Sequence, residues 1–120
     1  MSRSISVWYK GADGQAVDVD IGNNDLLGTQ MASMAFWSLP IHKTLGIVRL
    51  SELGISDPVW FTGWNELATL EREVAILEQH IESIPFSEEL RARWIRNLRL
   101  CVDRLKSSAP PDSIPEFMIG

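Results

Sequence analysis

Residues 67–84 read LATLEREVAILEQHIESI, and Pro85-Phe86-Ser87 follow directly. Leu67, Leu70, Val74, Leu77, Ile81 and Ile84 recur at alternating steps of three and four, the spacing that lines one side of an α-helix with apolar groups. Proline breaks such a run. Ser87 then offers a hydroxyl N-cap, and Glu88 and Glu89 fall in the first turn, where the helix dipole favours negative charge. Leu90, Trp94, Leu98, Cys101 and Leu105 form a second apolar stripe, flanked by Ile95 and Val102. The linker is too short for anything but antiparallel neighbours, so the reading predicts a helical hairpin over about 62–107, with Thr62 a candidate cap at its start.

The charges agree with that pairing. The first helix carries Glu66, Glu71, Glu73, Glu78 and Glu82 against Arg72. The second carries Arg91, Arg93, Arg96, Arg99, Arg104 and Lys106 against Glu88, Glu89 and Asp103. Exposed pairs of this kind contribute about 0.2–1 kcal/mol each, so they set register while the apolar seam supplies the stability.

Upstream, period-two patterns replace the helical one. Ile5, Val7 and Tyr9 alternate with polar neighbours, as do Val17, Val19 and Ile21, which predicts a β-hairpin over about 4–22. A slip of one residue would set Val7 against Asp18. Matching the apolar faces pairs Tyr9 with Val17, Val7 with Val19 and Ile5 with Ile21. Ala12-Asp13-Gly14 is then a three-residue loop, with Gly14 at the position that needs a left-handed backbone. The other face pairs Trp8 with Asp18 and Ser6 with Asp20.

Between hairpin and helices, Asn23, Asn24 and Asp25 are good caps for a helix over about 24–38, with Leu26, Leu27, Met31, Met34 and Ala35 at helical spacing and Pro40 beyond its end. Asp57-Pro58 reads as a helix or turn start. Residues 41–57 are compatible with a short helix or a buried strand. The tail, 108–120, holds Pro110, Pro111 and Pro115 but also Ile114, Phe117, Met118 and Ile119, a composition suited to docking on the domain or on a partner. Together these elements predict one α+β domain, 1–120: an N-terminal β-hairpin packed on helices, with the C-terminal antiparallel helical hairpin as scaffold.

Composition narrows the function. The chain has 120 residues, 45% of them hydrophobic, enough for a core without disulfides or metal. Its single cysteine, Cys101, lies within a helical stripe and reads as a small core residue. Neither a leader peptide nor a membrane span is visible, and the expected location is the cytoplasm. The net charge of -5 disfavours nucleic acid and favours a basic protein surface as partner.

No catalytic constellation stands out, and the chain is expected not to be an enzyme. Gly11-Ala12-Asp13-Gly14 is a turn and no phosphate-binding loop. Asp18, Asp20 and Asp25 with Asn23 and Asn24 lack the ligand spacing of a calcium loop, whose twelfth position is here Thr29. His42, His80 and Cys101 show no metal-ligand spacing, so no metal or cofactor is expected. The arginines of the last helix read as a salt-laced face.

Five tryptophans remain: Trp8, Trp37, Trp60, Trp64 and Trp94. Trp94 belongs to the core stripe, and Trp37, Trp60 and Trp64 to core or rim. Trp8 alone falls off the apolar face, beside Asp18, where it is either exposed or covered by a helix packed on that face too. The reading that follows is a small acidic protein-binding module, an inhibitor or immunity-type protein that occludes a basic toxin or enzyme. Its contact patch is expected at Trp8, Asp18, Asp20 and Asp25. The alternatives are a self-associating structural or adaptor protein, and a small-molecule binder or enzyme with a pocket that the sequence does not announce.

Overall fold

The computed structural model describes residues 2–120 and has an α+β architecture. An antiparallel sheet is built from β1 (Ser2–Lys10), β2 (Ala16–Asp18), β3 (Leu26–Thr29), β4 (Val59–Thr62) and β5 (Ile114–Ile119). Four strands run in the order β2-β1-β5-β4, and β3 pairs with the start of β1. Alternate residues of the long strands point inward: Ile5 and Val7, Val59 and Phe61, Phe117 and Ile119 are all buried. They pack on α3 (Gly63–Gln79) and α4 (Glu88–Ser108), the two arms of the C-terminal helical hairpin.

The hairpin turn is as expected. Tyr9 pairs with Val17 and Trp8 with Asp18, and Gly14 sits at φ 80°. Val19 N–H still donates to Val7 O, but the expected pairing of Ile5 with Ile21 does not form. Asp20 Oδ1 accepts the N–H of Gly22, which has φ 63°, and the chain turns away there. Ile5 N–H donates to Asp25 O instead, so residues 19–25 arch off the sheet between two backbone anchors.

The helix expected over 24–38 begins later. Leu26–Thr29 is β3, with Ser4 opposite Leu26 and Ser2 opposite Thr29. Thr29, and not Asn23, Asn24 or Asp25, caps α1 (Gln30–Trp37), its Oγ1 accepting the N–H of Ala32. Gly28 explains the shift. It adopts φ 84°, which no helix contains, and a Cβ there would lie 2.3 Å from a ring carbon of Trp94. The helix phase changes with it: Ser33, Phe36 and Trp37 are buried, while Met31 is 84% exposed. Arg3 reaches this helix from β1. It is buried and donates to Ser33 Oγ and Leu53 O.

Residues 41–57 hold a short helix, α2 (Ile41–Leu45), and a 3-10 turn over Leu50–Gly54. Buried Glu73 of α3 anchors that turn, its carboxylate accepting the N–H groups of Val48, Arg49 and Leu50. Asp57-Pro58, read as a helix or turn start, is a bend that leads into β4 and not into a helix. Thr62 occupies the cap position of α3 without a side-chain cap, because its hydroxyl donates to Glu116. The seam helix ends at Gln79, and Ile81–Ser83 form a 3-10 turn that leaves Ile84 in the core. Ser87 caps α4 through Leu90 N–H. Arg99 pairs with Glu78 and Glu71, and Lys106 with Glu71, across the two helices. The tail contains β5, paired with β1 on one side and β4 on the other.

Two measurements check this packing. Gly28→Ala forces a side chain into Trp94 and a strained backbone, and is expected to destabilise the protein by about 2–4 kcal/mol in urea unfolding. His42 supplies the second. It is fully buried, its Nε2–H donates to Phe36 O at 2.8 Å, and its Nδ1 has no partner among the described residues. Burial pushes its pKa below the ordinary 6.5, against a smaller opposite pull from Phe36 O. The unfolded chain therefore binds a proton that the folded one resists. Stability from this group is complete above the unfolded value and is lost as pH falls through it towards the depressed folded value. The urea midpoint should fall between pH about 6.5 and 5, where carboxylates stay ionised. His42→Gln, which keeps a donor for Phe36 O, should flatten that part of the profile.

Candidate partner-binding face

The helices cover one side of the sheet. The opposite side carries the alternate residues: Ser6, Trp8 and Lys10 of β1, Asp18 of β2, Glu116 and Met118 of β5, Trp60 and Thr62 of β4. Strands β1 and β4 are separated by β5, a gap of roughly 10 Å at ordinary strand spacing. The rings of Trp8 and Trp60 bridge it. Their centroids are 5.9 Å apart and their planes 88° apart, an edge-to-face pair over β5. Trp60 is 45% exposed and Trp8 half-buried. Trp8 lies directly opposite Glu116, which is buried and accepts the Thr62 hydroxyl at 2.9 Å. The aromatic pair thus stands on a hydrogen-bonded base.

Beside the pair lies a shallow recess of about 320 Å³, whose lining includes Ser6, Trp8, Asp18, Val19 and Asp25. It is the space between β1 and the arch of residues 19–25. Trp8, Asp18 and Asp25 of the expected patch therefore meet in one concavity. Asp20 does not join them, because its carboxylate is engaged by Gly22 N–H in the turn. Lys10 shares the open face, so its charge is mixed.

Trp60, expected in core or rim, and Met118, expected in a docked tail, were not expected in this patch. In Val59-Trp60-Phe61-Thr62 the in-out alternation that exposes Trp60 is present, but an Asp57-Pro58 read as a helix or turn start hides it. Of the other tryptophans, Trp37 and Trp94 are buried, and Trp64 is half-buried with its Nε1–H donating to Ser113 O at 2.9 Å.

Cys101 and Arg99 are each fixed in one charge state by their surroundings. Burial pushes the Cys101 thiol up to about 12, with Asp25 adding to the shift, so it stays protonated at neutral pH. Arg99 is held charged chiefly by its hydrogen bonds to Glu78. Among the described residues, no three His, Cys, Asp or Glu side chains lie close enough to hold a metal ion, and no helix is long and apolar enough to cross a membrane. No protein-family model, curated protein or solved structure matches the chain.

Proposed function

We propose that this chain is a protein-binding module that docks a partner with a basic surface on the open face of its sheet, and acts as an inhibitor by occluding that surface. The observation that carries this reading is the Trp8–Trp60 pair on an uncovered sheet face. Two indole rings anchored in a sheet lose little freedom on binding, and they offer apolar area that water covers poorly. Met118 extends the patch along β5. Asp18 and Asp25 border it on the β2 side, and the recess between them has room for a lysine or arginine side chain of the partner. A cation there meets the carboxylates of Asp18 and Asp25 beside Trp8. The net charge of -5 steers such a partner from a distance, an attraction that salt weakens.

The test is capture of a basic protein by the tagged chain from the source lysate, followed by titration of the purified pair. Trp60→Ala and Trp8→Ala should each weaken binding by roughly 2 kcal/mol, about thirtyfold. Asp18→Ala should cost about 1 kcal/mol and Asp20→Ala less than about 0.5, since Asp20 faces its own turn. A partner bound equally well by both tryptophan variants removes the face assignment.

A further inference from the structure

Strand β4 borders the sheet. Its inner side pairs with β5, and no strand of the described residues lies along its outer side. Such a border is a ready template for another extended chain. In an antiparallel strand the backbone groups of alternate residues point the same way. Thr62 N–H and the Trp60 carbonyl point outward here, since both are engaged by side chains from outside the sheet. Arg49 Nη2–H donates to Trp60 O, and Thr62 N–H donates to Glu66 Oε1 at 2.9 Å.

The two side chains also hold each other. Arg49 Nη1 lies 3.5 Å from the same Glu66 oxygen, and Arg49 Nε–H donates to Glu52 Oε2 at 3.1 Å. The guanidinium stacks over the Phe61 ring at 4.6 Å. The Arg49 backbone is fixed in turn by the buried Glu73 carboxylate. These contacts place one ion-paired unit over two of the outward backbone groups of β4.

We infer that Arg49 and Glu66 form a plug that keeps β4 from pairing with β4 of a second copy of this chain. The geometry of the blocked pairing is specific. An antiparallel twofold centred on Trp60 lets the two Trp60 residues exchange both N–H···O bonds. It also sets each Thr62 N–H opposite a Pro58 carbonyl, and neither bond needs the N–H that proline lacks. Two of the groups this ladder requires, Trp60 O and Thr62 N–H, are the ones the plug occupies. The pairing would also bring the two open faces edge to edge at Trp60. The inference concerns the pure chain and stands whether or not the open face binds a partner.

The experiment is the mass of the purified chain by light scattering over a concentration series. Arg49→Met keeps an apolar stem over Phe61 and removes the donor; Glu66→Ala removes the acceptor. Together they leave the net charge at -5, so repulsion between copies is unchanged. The double variant should rise towards twice the 13.5 kDa of one chain at concentrations where the wild type stays lower. In that background Trp60→Pro should return the mass to the wild-type value, because it removes an edge N–H, whereas Trp60→Ala should keep the pairing. Glu66→Ala alone, at a side chain 46% exposed and outside the core, should give a smaller rise and serves if the double variant does not fold. Folded variants that keep the wild-type mass overturn the inference, as does a dimer that survives Trp60→Pro.

Discussion

The architecture hangs on β5 lying between β1 and β4. Residues 114–119 supply hydrogen bonds to both neighbours, and without them the first strand and β4 have no common sheet. Phe117 and Ile119 complete the layer beneath the helices, and Phe61 meets Phe117 edge-on inside it. The helical hairpin is what sets β5 there, because α4 runs directly into the tail and its apolar stripe is seated by α3. Trp64 ties the two ends of that path, its indole N–H bonding Ser113 just before the strand. The aromatic pair is a product of the same constraint: Trp8 and Trp60 lie far apart in sequence and meet only because one strand separates them.

What could be read from the residues alone follows the range of the interactions involved. The helical hairpin was legible because its evidence is local: an apolar stripe every three or four residues and a serine that does cap α4, although the first helix ends at Gln79, ahead of the proline expected to break it. The β-turn was legible for the same reason, since Gly14 has a conformational duty that neighbouring residues reveal. Strands β3, β4 and β5 were not. Each is short, and what makes Leu26–Thr29 a strand is its partner Ser2–Ser4 together with a tryptophan about seventy positions away that crowds Gly28. Asn23, Asn24 and Asp25 are good caps by type, but a capping preference of about 1 kcal/mol does not outweigh a packed Trp94. Arg3 and Glu73 were also hidden. A buried charge announces itself only through the backbone groups that satisfy it, and those come from distant segments.

The candidate face shows the same division. Trp8 and Asp18 were placed together by strand register, which is local to the hairpin. Asp25 joined them through the arch of residues 19–25, and Asp20 left them through a turn bond of its own carboxylate. Trp60 entered only when β5 brought β4 within reach. A sheet face has a physical merit for recognition: its side chains project from a backbone held by hydrogen bonds to neighbouring strands, so little order has to be imposed when a partner arrives. Glu116 and Thr62 extend that rigidity into the side-chain layer beneath the rings.

One further consequence follows from the first and last strands being antiparallel neighbours. Ser4 and Gly120 exchange both backbone hydrogen bonds, so the two ends of the described chain leave the sheet side by side. A fold with that property can be seated within a loop of another protein with scarcely any spacer, as both junctions fall at one point on its surface. It also lends itself to circular permutation: a short bridge can join residue 120 to residue 2, with the chain opened at Ala12-Asp13-Gly14, a turn exposed to solvent. The order in which the strands are synthesised is therefore separable from the order in which they lie in the sheet.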